Sequence, residues 1–398
     1  MLDCFIPTPL KEEVAHFRLL LQKLPLVPGD RIALQLPPSL SLIALLLAAL
    51  EQKLVITPLN RYLPPSQIQS HLERLDAKLF FSSLQEPPQL FSPHYPPLPD
   101  QGFLLFTSGS TALPKIAYLP LQAILANASS GIRALSLTPQ DHYLLNLPLY
   151  HVSGLAILFR TLLSGASLTL DPQDPRITHL SAVPTQLYRS SFTHLPNLRC
   201  LLLGGAPIPP LLPQNLPLCF SYGLTEMSSM AALAYPSSPY LPLPGKEFLV
   251  TPENELLVRG NSLFSGYWEK GTLLPPNSWF STGDLAKQAG NGFQVLGRKD
   301  FQFSSGGEKI QPEEIETLLL TTFPEIQEAI VLPLPDPEFG ARPIALLVGT
   351  PLPETALTTR LLALLPRFKI PLSFTFVDSL PKSLGKVNRN KLMSSVLG

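Results

Sequence analysis

The chain has 398 residues, which is long enough for two domains that each bury a hydrophobic core. Its 29 lysine and arginine residues balance 29 acidic residues. The chain therefore has no net positive charge that would attract nucleic acid or an anionic membrane as its main partner. Apolar residues make up 45% of the chain and charged residues 15%, which excludes a disordered protein and favours a compact enzyme.

The sequence also lacks the usual marks of export. Cys4, Cys200 and Cys219 are far apart without metal-ligand spacing, as is typical of thiols in a reducing compartment. The N-terminus has no basic segment followed by an apolar one. The most apolar helix-like stretch, residues 39–50, is shorter than the roughly 20 residues that span a bilayer. We therefore expect a cytoplasmic protein with no integral membrane segment.

The first hundred residues alternate helix-like and strand-like segments. Residues 12–24 and 39–50 read as helices, and residues 31–36 and 54–59 are short apolar runs typical of buried strands. This alternation predicts βαβ units and a parallel sheet, hence an α/β fold.

The middle of the chain continues this pattern and then changes it. After a polar loop the sequence predicts a helix over 122–135, and buried strands follow. Between residues 248 and 295, short strands separated by Gly, Pro and Asn indicate an all-β subdomain. The predicted buried strands are 143–147, 167–170, 198–203 and 218–222.

The character changes again at the segment GRKD, residues 297–300. A helix over 312–321 is predicted, with Pro312 in its first turn and two glutamates near its positive end. Strands at 329–332, 344–348 and 373–377 and a helix at 356–365 complete a small α+β unit. We therefore predict an N-terminal domain over residues 1–298 and a C-terminal domain over residues 299–398.

Residues 103–120, FLLFTSGSTALPKIAYLP, are the most informative stretch. An apolar strand runs into a loop of hydroxyls and one glycine, followed by Pro114 and Lys115. Such a loop can direct backbone N–H groups and hydroxyls at a phosphate chain, and the lysine adds a point charge. Its spacing differs from the GxxxxGK[ST] loop. The stretch resembles the phosphate loop of the adenylate-forming superfamily, which contains acyl-CoA synthetases and adenylation domains.

Six further segments match that superfamily in order. Any one alone is commonly structural, since a histidine at a strand end or a Gly-Asp turn usually has no chemical role. Together they imply a large N-terminal α/β domain with a small distorted β-barrel subdomain, followed by a small mobile α+β lid. The segments are PLYHVSG, LLLGGAPIP, SYGLTE, WFSTGDLA, GRKDFQFSSGGEKIQPEEIE and PKSLGKVNR.

The resemblance implies an ATP site. The hydroxyl loop would cradle the β- and γ-phosphates, while an aromatic ring and strand-end glycines, where backbone can approach a flat ring closely, would hold the adenine. A carboxylate and an arginine would hold the ribose. The residues implied are Thr107, Ser108, Gly109, Ser110, Thr111 and Lys115 for phosphates, Gly205, Ala206, Tyr222 and Gly223 for adenine, and Asp284 and Arg298 for ribose.

The resemblance also implies catalytic roles. Attack of a carboxylate on the α-phosphate of ATP brings two anions together, so cations must neutralise the developing charge and hold an in-line geometry. Lys386 would reach the α-phosphate and the carboxylate as the main catalytic residue. Thr225 would contact phosphate, Glu226 would help to hold Mg²⁺, and His151 would shape the acyl pocket and position the carboxylate.

The second half-reaction of such enzymes forms a thioester with coenzyme A after the small domain rotates. Asp300 lies where the hinge is expected, and rotation would withdraw Lys386 and bring Ser305, Gly306 and Gly307 towards coenzyme A. The withdrawal is useful because the charge that stabilises adenylation would obstruct the incoming thiol.

The resemblance is sharper to the branch that activates o-succinylbenzoate in menaquinone biosynthesis, through the runs SSGGEKIQPEEIE, VPTQLYR and SYGLTEMSS. This acid is a dianion, and the carboxylate that does not react needs a cation or several donors when buried. Arg189 is the candidate cation, although it can equally be a surface arginine on a helix. Thr185, Ser153 and Ser228 are candidate neutral donors, and Gly204 lies beside them in the implied substrate site.

The sequence is also compatible with two other functions. A ligase for another aryl or medium-chain acid would need an uncharged tunnel with no arginine at its end. Ala112 stands where the family has a glycine, and the segment between Pro381 and Lys386 is one residue shorter than is usual. These departures keep open an inactive homologue that binds nucleotide or coenzyme A. The oligomeric state is also open, and a homodimer is possible because dimers are the commonest assembly among soluble oligomers.

Overall fold

The structure is a computed structural model that describes residues 8–107, 113–183, 186, 195–205, 215–383, 386–387, 389 and 392–393.

The first part of the chain alternates helices and strands as predicted. Ser39 begins the second helix, because its side chain accepts a hydrogen bond from the Leu42 N–H at 3.1 Å, and that helix is buried along its length. The elements are α1 Thr8–Gln22, β1 Arg31–Leu34, α2 Leu40–Glu51, β2 Val55–Pro58, α3 Pro65–Leu75, β3 Leu79–Phe81, β4 Gln89–Leu90, β5 Gly102–Thr107, β6 Lys115–Pro120 and α4 Leu121–Leu135.

A second run of elements follows between residues 142 and 242. The predicted strand at 143–147 is observed three residues long, and a helix that we did not predict begins directly after His151. The elements are β7 His142–Leu144, α5 Val152–Ser164, β8 Ser167–Thr169, β9 His179–Ala182, β10 Cys200–Leu203, β11 Leu218–Leu224, β12 Ser229–Ala234 and β13 Leu241–Pro242.

Residues 246–298 form short antiparallel strands, as predicted from the Gly, Pro and Asn residues that separate the apolar runs. Two of them leave this region and extend the first sheet instead, because Tyr267 pairs with Ala117 on β6. The strands are β14 Lys246–Val250, β15 Glu255–Gly260, β16 Gly266–Glu269, β17 Thr272–Leu274, β18 Phe280–Ala289 and β19 Gly292–Arg298.

The C-terminal region is an α+β unit. Its longest strands form a hairpin in which Asp336 pairs with Gly340, and the predicted proline-headed helix packs beside it. The elements are β20 Phe303–Ser305, β21 Glu308–Ile310, α6 Pro312–Thr322, β22 Ile326–Asp336, β23 Gly340–Gly349, α7 Glu354–Leu362, β24 Phe374–Phe376, β25 Lys382–Ser383 and β26 Lys386–Val387.

Two large mixed sheets carry most of the described N-terminal residues. The first has the order β17-β16-β6-β5-β2-β1-β3-β4, and the second has the order β13-β12-β11-β10-β9-β7-β8. In the second sheet β7, β8, β9, β10 and β11 are parallel. The segments that follow β9, β10 and β11 therefore leave the same edge, where open α/β sheets bind ligands.

The hydrophobic clusters divide near residue 300. Within the described residues, the clusters around α6, β22 and β23 use residues from 303 onwards, and the others use residues up to 293. The boundary at residues 298 and 299 stays a prediction. Every helix in the described ranges is too short or too polar to cross a bilayer.

Candidate active site

The edge of the second sheet is shaped by glycines. A Cβ on Gly204 would lie 2.0 Å from Ser221 Oγ, and Gly205 has a φ of +75°, a conformation that side chains disfavour. A Cβ on Gly223 would lie 2.4 Å from the Ser229 carbonyl oxygen. Backbone and small side chains therefore surround the end of β10. Ala206 lies outside the described residues.

A tight turn follows β11. Thr225–Met227 forms a 3-10 turn, and the next two residues are left-handed, with φ of 56° at Ser228 and 110° at Ser229. Ser228 is buried and its hydroxyl donates to the Ser262 carbonyl at 2.9 Å. We named Ser228 as a candidate donor to the acid, and its contact with the acid stays a prediction, since in the structure its hydroxyl donates to this carbonyl.

Lys115, Tyr267 and Glu226 form a linked array between the two large sheets. The Tyr267 hydroxyl donates to Glu226 Oε1 at 2.6 Å, and Lys115 Nζ lies 4.8 Å from the centroid of the Tyr267 ring. Burial raises the pKa of Tyr267, and the charge of Glu226 adds to this, so the hydroxyl remains a donor. The array brings a cation and a carboxylate from distant segments to one place.

The base of the hydroxyl loop is a strand pair. Thr107 pairs with Lys115 across β5 and β6, and the Thr107 hydroxyl donates to the Lys115 carbonyl at 3.4 Å. From α3, Arg74 donates to the Pro114 carbonyl at 2.5 Å and lies over the Phe106 ring. Both flanks of the loop are thus fixed. Ser108, Gly109, Ser110 and Thr111 lie outside the described residues.

Tyr222, Asp284 and Arg298 form a second array. The Tyr222 hydroxyl donates to Asp284 Oδ2 at 2.6 Å, and Arg298 Nη1 donates to Asp284 Oδ1 at 3.1 Å. Arg298 Nη2 continues the chain of contacts to Asp300 at 2.9 Å. Burial would lower the pKa of Arg298, but Asp284 and Asp300 outweigh this and raise it. The residues predicted for ribose and hinge are therefore connected through one guanidinium.

The Tyr222 ring is fixed by neighbouring aromatic rings. Its centroid lies 5.3 Å from that of Phe293 and 5.9 Å from those of Tyr240 and Phe248, all in edge-on geometry. Burial, together with the charge of Asp284, raises the pKa of Tyr222 well above its usual value. The ring is held rigidly and its hydroxyl stays protonated.

His151 stands at the start of α5 with Ser153 in the first turn. Its ring lies 4.6 Å from that of Tyr150, and its carbonyl accepts the Gly154 N–H. A mostly apolar cavity of about 260 Å³ lies beside the preceding segment. It is lined among others by Leu34, Pro58, Arg61, Tyr62, Asn146 and Tyr150. Arg189 and Thr185 lie outside the described residues.

The C-terminal candidates lie on two hairpins. Ser305 is buried at the end of β20, and Gly306 and Gly307 form the turn with φ of 59° and 86°. Lys386 pairs with Ser383 in the second hairpin. Arg389 anchors the segment after Lys386, because its Nη2 donates to both carboxylate oxygens of Glu316 at 2.7 Å.

The chemistry of the donor set fits Mg²⁺ bound together with a nucleotide. Glu226 offers a carboxylate whose Oε1 is oriented by Tyr267. Within the described part of the chain, His, Cys, Asp and Glu form no cluster of three that could hold a metal by itself. Mg²⁺ typically takes one or two carboxylates together with substrate phosphates and water. The residues therefore fit a metal that arrives with ATP.

The fold and these arrays define a class. A glycine-lined sheet edge, the strand pair that joins Thr107 to Lys115, and a tyrosine bonded to a carboxylate all lie in segments that match motifs of adenylate-forming enzymes. The chain belongs to the AMP-binding enzyme family, whose model matches residues 9–95 and 82–268.

Relatives agree with this assignment. The 2-succinylbenzoate–CoA ligase of Salmonella typhimurium is 37% identical over 313 residues, covering 74% of this chain and 68% of that protein. The corresponding ligase of Escherichia coli is 38% identical over 265 residues, covering 61% of this chain and 58% of its own length.

Solved structures confirm the predicted fold class. The o-succinylbenzoate CoA synthetase (MenE) of Bacillus subtilis, in complex with the acyl-adenylate intermediate OSB-AMP, superposes with a TM-score of 0.81 at 27% identity. The superposition covers 96% of this chain and 92% of the Bacillus subtilis chain. ATP-bound MatB of Rhodopseudomonas palustris has a TM-score of 0.83 at 24% identity, over 97% of this chain and 92% of its own, which supports the fold alone.

Several contacts were missed by sequence reasoning. Tyr267 and Arg74 lie outside the motifs that carried the resemblance, and their contacts with Glu226 and Pro114 cross 41 and 40 residues of chain. Strand pairing between β6 and β16 brings Tyr267 to Lys115. The aromatic pair in GYWEK, residues 266–270, was the one available signal of a buried strand there.

Proposed function

We propose that this protein is an AMP-forming acid–CoA ligase that adenylates 2-succinylbenzoate with release of pyrophosphate and then transfers the acyl group to coenzyme A, as in menaquinone biosynthesis. The observation that carries the reaction is the linked array of Lys115, Tyr267 and Glu226, which joins the phosphate-loop strand to a carboxylate suited to a nucleotide-bound metal. The choice of acid is supported by the relatives that carry this activity in their names.

In this proposal the N-terminal arrays bind ATP. Thr107, Lys115 and the hydroxyls between them hold the β- and γ-phosphates, and Tyr222 stacks on the adenine beside Gly205 and the backbone of Gly223. Asp284 accepts hydrogen bonds from the ribose hydroxyls. Its orientation is supported by the bonds from Tyr222 and Arg298, which leave the carboxylate little freedom to turn.

The carboxylate of the acid then attacks the α-phosphate. Lys386 neutralises the charge that develops there, Thr225 contacts phosphate, and His151 positions the attacking carboxylate. Mg²⁺, held by Glu226 and the phosphates, supplies charge neutralisation when it is bound. The O–P bond to the acid forms as the bond to pyrophosphate breaks, so the products are acyl-adenylate and pyrophosphate.

The distal carboxylate of the acid requires its own recognition. We assign this role to Arg189, with Ser153 in the first turn of α5 as a neutral donor and Gly204 making room at the strand edge. Ser228 contributes only its backbone shape, since its hydroxyl proton is used in the bond to the Ser262 carbonyl.

Thioester formation follows in the proposal after the domain over residues 299–398 rotates about Asp300. The ion pair between Arg298 and Asp300 is exposed enough to break and re-form in water. Ser305, Gly306 and Gly307 then face coenzyme A, where a turn without side chains allows close approach. A Cβ on Gly307 would meet open space, so the turn presents free backbone.

The partners in this proposal are small molecules, namely the acid, ATP and coenzyme A, and the protein works in the cytoplasm. A homodimer is the assembly we propose, and sedimentation of the purified protein tests it. The experiment for the activity is pyrophosphate release with Mg²⁺, ATP and coenzyme A, comparing 2-succinylbenzoate with benzoate and a medium-chain fatty acid. Pyrophosphate release with only benzoate or only the fatty acid would refute 2-succinylbenzoate as the substrate. No release with any of the three acids would refute the ligase activity.

A further inference from the structure

A buried side-chain amide is hydrogen-bonded to the backbone of the turn that carries Glu226. We propose, on the basis of the proposed function, that Asn127 is a positioning residue for the magnesium–ATP site. Asn127 lies on α4 and is 1% exposed. Its side chain is hydrogen-bonded to the backbone of the turn and to Arg160 rather than to the side chains of the two arrays, so it acts through the backbone of the turn.

The amide of Asn127 spans the two strained residues. Its Nδ2 donates to the Met227 carbonyl at 2.9 Å and to the Met230 carbonyl at 2.8 Å. These carbonyls flank Ser228 and Ser229, which have φ of 56° and 110°. Left-handed backbone at residues other than glycine persists only where the surroundings hold it. One side chain therefore holds both ends of a strained turn.

The orientation of the amide is itself fixed. Arg160 Nη2 lies 3.5 Å from Asn127 Oδ1, which leaves both Nδ2 protons for the two carbonyls. The Ser130 hydroxyl donates at 2.9 Å to the backbone carbonyl of Asn127 and does not contact its side-chain amide, and Lys246 Nζ donates to that same hydroxyl at 2.6 Å. Arg160 is 2% exposed and Lys246 is 5% exposed. The flipped amide would turn its protons towards the guanidinium and its oxygen towards two carbonyls.

The consequence falls on Glu226, which directly precedes Met227. The Glu226 carbonyl accepts the Phe264 N–H at 2.7 Å, and its carboxylate accepts the Tyr267 hydroxyl. The carboxylate is thus aimed by Tyr267 on one side and by the turn on the other. When Asn127 cannot donate, the Met227 and Met230 carbonyls lose buried partners and the turn can relax. The Glu226 carboxylate is then less well oriented as a metal ligand.

The test compares three variants of the full-length protein. Asn127→Asp keeps the shape but points an oxygen at two carbonyl oxygens, and Asn127→Leu replaces the amide with an apolar group. Ser130→Ala is the matched control, since it lies one turn along the same helix, is equally buried, and deprives Lys246 of its partner without touching the turn. All measurements are made well below the melting temperature of each variant.

Binding of a non-hydrolysable ATP analogue is measured by calorimetry over a range of Mg²⁺ concentrations, and pyrophosphate release over the same range. Removing a group that orients a metal ligand typically weakens metal binding 10- to 100-fold, so we expect about a tenfold higher Mg²⁺ requirement in both Asn127 variants. The Mg²⁺ requirement of Ser130→Ala should stay within about twofold of that of the wild type. Raising Mg²⁺ should restore the turnover of the Asn127 variants.

An Mg²⁺ requirement that is unchanged in both Asn127 variants, with only a lower melting temperature, would overturn the inference and leave Asn127 a structural residue. The inference would also be overturned if Ser130→Ala raised the Mg²⁺ requirement as much as the Asn127 variants do. Wild-type protein that binds no magnesium nucleotide would instead overturn the proposed function, and this inference with it.

Discussion

The hydroxyl of Tyr267 is the most direct point at which to perturb the proposed site. Tyr267→Phe removes one oxygen, and with it the bond to Glu226 Oε1 at 2.6 Å, but keeps the ring 4.8 Å from Lys115 Nζ. Tyr267→Leu removes the ring as well. The two changes separate the orientation of the carboxylate from the placement of the lysine.

The expected magnitudes follow from the two contacts. A hydrogen bond to a charged group contributes about 1.5–3 kcal/mol, and the half-buried position of Tyr267 favours the lower figure. That loss corresponds to about a tenfold decrease in kcat/KM for magnesium–ATP in Tyr267→Phe, since about 1.4 kcal/mol is a factor of ten. Loss of the cation–π contact adds about 0.5–1 kcal/mol, or a further two- to fivefold, in Tyr267→Leu.

The assay is pyrophosphate release at varied magnesium–ATP with the acid saturating. Tyr118→Phe is the control, because Tyr118 lies beside the same strand pair and donates its hydroxyl to the Asp100 carbonyl, away from Glu226. We expect Tyr118→Phe to change the melting temperature more than kcat/KM. Wild-type kinetics in Tyr267→Phe, or an equal loss of kcat/KM in Tyr118→Phe, would show that the Tyr267 hydroxyl does not orient Glu226.

Three further outcomes are expected. Lys386→Ala should abolish adenylation but spare thioester formation from supplied acyl-adenylate, and equal loss of both steps would refute the domain rotation. Arg189→Ala should raise KM for the dicarboxylate far more than for a monocarboxylate analogue, and equal effects would exclude charge pairing. Burial, with Arg160 and Arg133 adding to it, lowers the pKa of Lys246 from 10.5 to about 8. The folded protein therefore binds fewer protons than the unfolded chain between those values, and its stability rises with pH across that window. The stability gained by Lys246→Met, measured by urea unfolding, should shrink by about 3 kcal/mol between pH 7 and pH 10.5, whereas a constant difference would contradict the burial of a charged lysine.

Much of the fold was predictable because most elements have clear local patterns. The apolar runs that became β1 and β2, and the proline-headed helix α6, lie close to their predicted bounds. The helix α5 was missed because nearly all of it is buried, so it has no polar face to reveal a helical period. The helix α3 was missed although Ile68, Leu72 and Leu75 follow a helical spacing after Pro65.

The candidate site was predictable only in part. Motifs singled out Lys115, Glu226 and Asp284 as candidates, because each stands in a short segment with a distinctive pattern. Tyr267 and Asn127 carry no such pattern, and they reach Glu226 or its turn across 41 and about 100 residues of chain through sheet pairing and helix packing. Contacts of this kind are set by tertiary structure, and a local pattern cannot indicate them.

Pyrophosphate release by the purified protein decides whether it is a ligase, when it is measured with magnesium–ATP, coenzyme A and 2-succinylbenzoate, with benzoate and a medium-chain fatty acid in parallel. We predict release with 2-succinylbenzoate and formation of its coenzyme A thioester, and little release with the monocarboxylates. Nucleotide binding without pyrophosphate release from any of the three acids would contradict the assignment of this protein as a ligase.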